Sequence, residues 1–144
     1  MYIFDTDHVS LFLRGNPTLI QNFEKRFANP SESFYITIVT VQELLNGWIT
    51  RINSTKESDQ LVNLYTKFWQ THTFLSECNV LNFDETANSI YKALLNDKSL
   101  HKKRLIKDLR IAAIVLATDS ILVTRNTKDF QQIPNLSLED WTQG

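Results

Sequence analysis

The sequence predicts an α/β fold: one domain with a central, mainly parallel sheet of four to five strands and helices on both faces. Short apolar segments typical of buried strands alternate with longer segments whose apolar residues recur every three or four positions, as they do in helices. Strands separated by helices pair in parallel, and a parallel sheet is covered by helices on both faces. The length of 144 residues suits one domain, and a hydrophobic content of 42% is sufficient for its core.

In the first half of the chain, the pattern of apolar and polar residues predicts two strands and four helices. In order, these are a strand over residues 2–5, a helix capped by Thr6 or Asp7 and running to about Arg14, a helix to about Phe27, a strand over residues 34–38, a helix from about Val41 to about Ile52, and a long amphipathic helix over residues 56–74. Glycine, proline and asparagine separate these elements, because such residues interrupt regular hydrogen bonding.

The second half continues the alternation of strands and helices. Its predicted elements are a minimal strand over residues 79–81, a helix capped by Asp84 and running to about Asn96, a basic loop over residues 101–104, an apolar helix over residues 105–117, a strand over residues 121–124 and a last strand over residues 135–138. Ligand sites of open parallel sheets lie at the carboxyl ends of the strands. Side chains that follow the predicted strands are therefore candidate functional residues.

Composition and charge exclude several classes of protein. A net charge of −1 provides no overall field for binding nucleic acid or a membrane, so any nucleic-acid contact requires a local basic patch. The single cysteine, Cys78, excludes an internal disulfide and a cysteine-based zinc site. The three glycines form neither a dinucleotide-binding nor a phosphate-binding motif. Because no signal peptide and no apolar stretch of membrane-spanning length is apparent, we expect a soluble cytoplasmic protein.

Four acidic residues beside apolar segments are the strongest functional signal: Asp5, Glu43, Asp108 and Asp129. Each lies at the edge of a predicted core element, where an ionised carboxylate is costly unless it is paired or binds a metal. Two unit charges about 4 Å apart repel by roughly 4 kcal/mol at an effective dielectric constant near 20, so a cluster of acids requires a cation. We therefore expect a site suited to Mg²⁺ that supports metal-assisted hydrolysis of a phosphodiester.

Three of these acids also have a structural interpretation. Asp5, or its neighbour Asp7, can cap the first helix, where carboxylates are favoured. Glu43 follows Thr40 at the spacing of a capping box. Asp129 follows a strand, where turns and helix caps are frequent. For each acid taken alone, these interpretations stay open.

Asp108 is harder to explain structurally. Ile111, Ala112 and Val115 lie three, four and seven residues further along, so Asp108 shares their apolar helical face. A lone carboxylate on that face needs a partner. Arg104 lies one helical turn earlier and is a candidate for that partner.

Five segments of the chain together resemble the PIN domain of VapC-type toxins. They are residues 2–8 (YIFDTDH), 40–44 (TVQEL), 107–113 (KDLRIAA), 123–130 (VTRNTKDF) and 133–141 (IPNLSLEDW). The resemblance covers nearly all of residues 1–144 and keeps the family's order and spacing. It implies an Mg²⁺-dependent endoribonuclease, with Mn²⁺ as a substitute, that is the toxin of a type II toxin–antitoxin system. It also implies inhibition by a cognate antitoxin and assembly as a homodimer.

The resemblance assigns roles to the acids. Asp5, Glu43 and Asp108 match the family's three most regular acids: Asp5 and Asp108 would be the principal metal ligands, and Glu43 would complete the pocket or orient the attacking water. The fourth site residue stays open, because many PIN domains have an acid at the position of Asn126, three residues before Asp129. Either Asn126, through a water molecule, or Asp129 itself would take that place.

Hydroxyl groups and basic residues complete the predicted site. Thr6 and Thr124 are candidates to hydrogen-bond the acids, although ordinary hydroxyls at strand ends are an equal interpretation. RNA binding requires positive charge near the site. The candidate RNA-binding residues are Arg14, Lys102, Lys103, Arg104 and Arg125. A solvated loop or an antitoxin-binding surface is the alternative interpretation of these residues, and for His8 we expect a structural or peripheral role.

Aromatic residues recur at helical spacing on the two middle helices. They are Trp48, Tyr65, Phe68, Trp69 and Phe74. We expect most of them in the core, and the others in a hydrophobic groove for an antitoxin helix or in a dimer interface.

Two other functions compete with the ribonuclease prediction. Residues 2–9 also fit the opening motif of haloacid-dehalogenase-like phosphatases, in which Asp5 would be the nucleophile and Asp7 the acid/base. That superfamily expects a downstream Gly-Asp or Asp-Asp pair, which the chain lacks. The other alternative is a non-catalytic PIN-fold module that binds RNA or protein, against which the intact Asp5, Glu43 and Asp108 argue.

Overall fold

The computed structural model describes residues 1–144 and contains a five-stranded parallel sheet. The strands are β1 (Tyr2–Phe4), β2 (Phe34–Thr37), β3 (Val80–Leu81), β4 (Ile121–Val123) and β5 (Ser137–Glu139). Their order across the sheet is β3-β2-β1-β4-β5, and every neighbouring pair is parallel. The predicted α/β fold is confirmed. Because β2 and β3 lie on one side of β1 and β4 and β5 on the other, the carboxyl end of β1 is the switch point where ligands bind in such sheets.

Seven α-helices connect the strands. They are α1 (Thr6–Leu13), α2 (Pro17–Phe27), α3 (Ile38–Ser54), α4 (Leu61–Glu77), α5 (Glu85–Leu95), α6 (Ile106–Ala117) and α7 (Thr127–Phe130). Six of them correspond to predicted helices, whereas α7, with four residues, is too short to produce an amphipathic pattern. None of the helices combines the length and the apolar character needed to cross a membrane.

Two layers of apolar side chains hold the central strand from both faces. Successive residues of a strand point to opposite faces of the sheet. Ile3 accordingly packs with buried residues of α5 and α6, while Tyr2 and Phe4 pack with α1, α2 and the carboxyl-terminal Trp141. The end of β1 is therefore fixed by both cores.

The third helix begins earlier than the sequence predicts. It starts at Ile38 instead of Val41, and its cap is Thr37, whose hydroxyl accepts a hydrogen bond from the backbone N–H of Thr40 (3.2 Å). Thr40 lies inside the helix and is fully buried. The capping-box interpretation of Thr40 and Glu43 is therefore wrong, because the cap position belongs to a residue three positions earlier.

The fourth helix leaves part of its aromatic surface uncovered. It begins at Leu61, after a single 3₁₀ turn at Ser58–Gln60. Tyr65 is 54% exposed and Trp69 is 65% exposed, and Trp48, Phe68 and Phe74 are half-buried. The prediction that most of these aromatic residues lie in the core is therefore wrong, because α4 packs on α3 through its opposite face.

Candidate active site

Asp5 lies directly after β1, at the carboxyl end of the central strand. Its backbone N–H donates to the carbonyl of Val123 in β4 (3.1 Å), so strand pairing fixes its position. Its Oδ1 accepts a hydrogen bond from the backbone N–H of His8 (2.8 Å), and its Oδ2 accepts one from the hydroxyl of Thr124 (2.6 Å). Asp5 thus caps α1, as one interpretation predicted, and the prediction of Thr6 or Asp7 as the cap is wrong because both lie inside the helix. Because a carboxylate oxygen can accept two hydrogen bonds and each oxygen of Asp5 accepts one, the group can still bind a further ligand.

Glu43 lies in the second turn of α3 and contacts α1. The hydroxyl of Thr6 donates to Oε1 of Glu43 (2.8 Å) and lies 3.1 Å from the hydroxyl of Thr40. The hydroxyl of Thr37 in turn lies 3.5 Å from that of Thr40. Thr37 and Thr40 are fully buried, so the three hydroxyls orient one another away from water. This chain of hydrogen bonds ends on the carboxylate and holds it in place.

Asp108 lies in the first turn of α6 and contributes a carboxylate whose pKa is raised to about 6. The first cause is burial, followed by the negative charges of Glu43, Asp5 and Asp129, while the positive charge of Arg104 opposes the rise. Charges influence one another strongly only over short distances. Asp108 is therefore within electrostatic reach of three acids from other segments of the chain.

Asp129 differs from Asp108 because its carboxylate is paired. Nη1 of Arg104 donates to both carboxylate oxygens (2.9 and 2.8 Å), and the side-chain amide of Asn126 donates to Oδ2 (3.2 Å). The hydrogen bond from Arg104 is the main reason that the pKa of Asp129 is lowered. Arg104 thus pairs with Asp129 and acts on Asp108 only through its charge, so the prediction of a direct partner for Asp108 is wrong. The two candidates for the fourth position, Asn126 and Asp129, are thus in contact with each other.

The donor chemistry of this cluster fits a hard divalent cation. Asp5, Glu43 and Asp108 offer carboxylate oxygens, and burial together with the negative charges of Glu43 and Asp5 raises the pKa of Asp108. No three His, Cys, Asp or Glu side chains form a group compact enough to hold a metal by themselves. Such an arrangement is compatible with Mg²⁺, which binds one or two carboxylates directly and keeps several waters.

The predicted basic residues are partly paired with acids and partly unpaired on the surface. Nε and Nη2 of Arg125 donate to the two carboxylate oxygens of Asp7 (2.7 and 3.2 Å), and both side chains are about half exposed. Arg14, Lys102 and Lys103 are exposed. Because the carboxylate of Asp7 is bound by a guanidinium, the structure does not support the acid/base role that the phosphatase alternative requires.

His8 occupies a more central position than the sequence predicts. Its side chain is fully buried directly behind Asp5, with Nδ1 lying 3.5 Å from Oδ1 of that residue. Nε2 accepts a hydrogen bond from the backbone N–H of Trp141 (3.4 Å) and lies 3.8 Å from Oδ1 of Asp140. Of the two roles expected for His8, the peripheral one is therefore wrong, and the structural one agrees with its burial. The available signal was its spacing, because a residue three positions after a capping aspartate lies one turn along the helix, over the cap.

Comparison with known proteins is consistent with this geometry. The family model described as PIN domain matches residues 2–136. The Ribonuclease VapC2 of Rickettsia felis is 28% identical over 144 residues, and the aligned region covers 98% of each chain. The Ribonuclease VapC1 of Haemophilus influenzae (strain R2866) is 26% identical over 145 residues, which is 99% of each chain.

Solved structures share the same fold. VapBC2 from Rickettsia felis, bound to a DNA fragment from its promoter, gives a TM-score of 0.72 at 28% identity, covering 97% of this chain and 98% of that one. VapBC-1 from nontypeable Haemophilus influenzae gives 0.76 at 23% identity, covering 99% and 98%. A toxin–antitoxin complex from Klebsiella pneumoniae gives 0.66 at 22% identity, covering 98% of each chain. From the family match, which extends over most of its length, the chain belongs to the PIN domain family.

Proposed function

We propose that this chain is an endoribonuclease that hydrolyses RNA phosphodiester bonds with a divalent cation, and that it is the toxin of a toxin–antitoxin pair acting in the cytoplasm. The observation that carries the proposal is that Asp108 lies within electrostatic reach of both Glu43 and Asp5, the residue that follows β1. Support comes from the relatives named ribonucleases and from the similar solved complexes described above.

Asp5 and Asp108 are the principal cation ligands in this proposal, with Glu43 as the third acid. The cation is Mg²⁺, and Mn²⁺ substitutes for it. When bound, it would supply a water of lowered pKa and stabilise negative charge on the transferring phosphoryl group. Asp5 is suited to the role because protein donors hold both of its oxygens. Asp108 is suited to it because burial and the neighbouring acids disfavour its ionised form, and a bound cation would favour that form.

Glu43 is suited to orient the attacking water. Its Oε1 is held by the hydroxyl of Thr6, which restricts rotation of the carboxylate. A water that donates to Oε2 would then have a defined direction relative to the phosphate. Asn126 or Asp129 occupies the fourth position; we propose that it contributes through the water shell, because the carboxylate of Asp129 is already bound by Arg104.

Basic residues around the acids provide the positive charge that RNA requires. Arg104 lies beside the acids, and Lys102 and Lys103 precede it in an exposed segment next to α6. Arg125 pairs with Asp7 at the start of α1, and Arg14 is exposed at the end of that helix. With a net charge of −1, the rest of the chain adds no general attraction, so these local groups would determine affinity for the RNA backbone.

The proposed partners are a cognate antitoxin and a second copy of this chain. The outer face of α4 presents Val62, Tyr65 and Trp69 at a spacing of three and four residues, which is one helical face. Their exposed fractions are 76%, 54% and 65%. A stripe of large apolar side chains that no other element covers is typical of a surface that binds a partner.

Cleavage of a structured RNA by the purified protein tests the proposal. The reaction is run with Mg²⁺, with Mn²⁺ and with a chelator, for the wild type and for Asp5→Asn and Asp108→Asn. We expect cation-dependent cleavage that each substitution reduces by at least about 100-fold, since loss of a residue that merely supports a metal ligand already costs about 10- to 100-fold. Asp59→Asn, in the exposed turn before α4, is the matched control. Equal cleavage by wild type and variants, or none with any cation, would refute the proposal.

A further inference from the structure

We propose that His8 is a positioning residue for the carboxylate of Asp5, and that the carboxyl-terminal segment sets the orientation of the His8 ring. The inference rests on the proposed function, because it assumes that Asp5 binds the cation. It concerns a side chain that does not touch the substrate, since the ring of His8 is 0% exposed.

The contact between His8 and Asp5 is close but incomplete. Nδ1 of His8 lies 3.5 Å from Oδ1 of Asp5, yet it lacks the alignment of a hydrogen bond and has no other partner. Buried polar atoms in native proteins almost always have a hydrogen-bond partner, so an exception requires an explanation. The nearby carboxylate is the acceptor that this atom faces.

The tautomer of His8 follows from its other nitrogen. Nε2 accepts a hydrogen bond from the backbone N–H of Trp141 (3.4 Å), and an accepting ring nitrogen carries a lone pair instead of a proton. In a neutral imidazole the proton then lies on Nδ1. The N–H group of the neutral ring therefore lies on the side nearest Asp5, with Nδ1 at 3.5 Å from Oδ1 of that residue.

The carboxyl-terminal segment that orients the ring is itself firmly held. The ring of Trp141 packs against those of Tyr2 and Phe4, with centroid distances of 5.2 Å to each. Its Nε1 donates to Glu139 (2.7 Å), and its carbonyl accepts from the side-chain amide of Asn22 (2.9 Å). The backbone N–H of Trp141 consequently has a fixed direction, and it fixes the ring of His8.

Asp5 is thereby restrained from three directions. The backbone N–H of His8 and the hydroxyl of Thr124 each donate to one carboxylate oxygen, and the ring of His8 closes the side that faces the core. Carboxylates that bind metals are usually themselves hydrogen-bonded, and loss of such a supporting group lowers metal affinity by about 10- to 100-fold. His8 fits this description.

Titration with Mn²⁺ in a calorimeter, without RNA, tests the role of the ring. The variants are His8→Leu, which removes the donor, His8→Asn, whose amide can place a donor near the position of Nδ1, and Asp5→Asn. We expect His8→Leu to weaken Mn²⁺ binding by about 10- to 100-fold and His8→Asn to recover most of that loss. RNA cleavage by His8→Leu should also recover when the Mn²⁺ concentration is raised by the same factor.

The outcomes separate this inference from the proposed function. If Asp5→Asn loses Mn²⁺ binding while both His8 variants bind like the wild type, the inference is overturned and the proposed function stands. If the wild type itself binds no Mn²⁺, both are overturned. A loss in His8→Leu that His8→Asn does not recover, and that added Mn²⁺ does not correct, assigns the ring a packing role only and also overturns the inference.

A measurement on the wild type covers the case in which His8→Leu does not fold. The chain has three histidines, and His72 and His101 are exposed, so nitrogen-15 NMR of the imidazole rings distinguishes the buried one. We expect a neutral His8 ring with its proton on Nδ1, and a change in its Nδ1 resonance when Mg²⁺ is added. A proton on Nε2, or a resonance that Mg²⁺ leaves unchanged, overturns the inference.

Discussion

The guanidinium of Arg104 binds the carboxylate of Asp129, with Nη1 lying 2.9 and 2.8 Å from its two oxygens. Twenty-five positions separate the two residues in the sequence, and both act electrostatically on Asp108. The candidate site therefore contains one acid that a basic side chain of the protein already neutralises and one, Asp108, whose pKa is raised to about 6. This difference leads to separate predictions for removing the positive charge of Arg104 and the negative charge of Asp108.

Replacing Arg104 by methionine should strengthen cation binding and weaken RNA binding. The substitution removes a positive charge beside the carboxylates, so Mn²⁺ experiences less repulsion, whereas the phosphates of RNA lose an attractive group. We expect a change of about three- to tenfold in each affinity, in opposite directions, which is typical of one charge near a protein surface. Calorimetry with Mn²⁺ and fluorescence anisotropy with labelled RNA in a chelator measure the two effects.

Arg51→Met is the control for that experiment, because Arg51 lies in the last turn of α3, away from the turn that carries Glu43. It should leave Mn²⁺ affinity unchanged. If Arg104→Met lowers Mn²⁺ affinity instead, Arg104 serves to hold Asp129 as a ligand, and the assignment of the fourth position to a role through water is wrong.

Replacing Asp108 by asparagine should stabilise the cation-free protein above about pH 6. The folded protein ionises Asp108 with a pKa of about 6, against the ordinary value of 3.8, so ionisation costs more in the folded than in the unfolded state. Stability contributed by the protonated group is thus lost as pH rises from about 4 through 6. Allowing for partial exposure, we expect a gain of about 1 to 2 kcal/mol, or a few degrees in the unfolding midpoint.

Thermal unfolding in a chelator at several pH values measures this effect. The difference between Asp108→Asn and the wild type should be small near pH 4, should grow up to about pH 6 and should then stay constant. Addition of Mg²⁺ at pH 8 should stabilise the wild type and have little effect on the variant. If the stability difference between Asp108→Asn and the wild type does not depend on pH, ionisation of Asp108 is not its cause.

Replacing Thr124 by valine should weaken both the fold and the cation site. The hydroxyl of Thr124 donates to Oδ2 of Asp5 (2.6 Å) and accepts from the backbone N–H of Asn126 (3.0 Å), and the side chain is fully buried. Valine keeps the shape and removes both hydrogen bonds. We expect a loss of about 2 kcal/mol in stability, since one partner is charged, and a fall of about tenfold in Mn²⁺ affinity.

Thr73→Val is the matched control, because the hydroxyl of Thr73 is exposed on α4 and bonds only to a helix carbonyl. Chemical denaturation and Mn²⁺ calorimetry of the two variants are compared. If Thr124→Val binds Mn²⁺ as tightly as the wild type, the hydroxyl of Thr124 has no role in the site. It is then an ordinary hydroxyl at a strand end.

Most of the fold could be predicted because its signals are local. Each strand is a short apolar run, and the break after α1 is marked by Gly15, whose φ of +77° avoids the strain that a side chain would introduce there. The start of α3 was misplaced because β2 leads into the helix without a break, so Ile38 is as suited to the strand as to the helix. The exposed face of α4 was hidden because apolar spacing identifies a helical face without stating what covers it.

The sequence identifies the candidate acids, and it also names Thr6 and Thr124, whose hydroxyls donate to Glu43 and Asp5 in the structure. A carboxylate beside an apolar run is visible in the sequence, because its burial needs an explanation. The pairing of Arg104 with Asp129 and the contact of Trp141 with His8 depend on where distant segments meet in three dimensions. The hydrogen bond from Thr6 to Glu43 joins α1 to α3 and depends on how these helices pack.

Replacing Tyr65 and Trp69 together by serine should weaken inhibition by the antitoxin and leave RNA cleavage unchanged. Both side chains lie on the outer face of α4, beside the exposed Val62, and we expect that face to bind an apolar antitoxin helix. Burial of a tryptophan and a tyrosine at an interface contributes at least about 2 kcal/mol in total, so inhibition should weaken by at least about 30-fold. The measurement is the concentration of antitoxin that halves RNA cleavage, and the antitoxin is the small protein encoded beside this chain. Leu13→Ser on α1 is the control, since Leu13 is 40% exposed.

Light scattering of the free protein identifies the competing outcome. If the double variant loses a dimer and is inhibited as strongly as the wild type, this face joins two copies of the chain and the prediction is wrong.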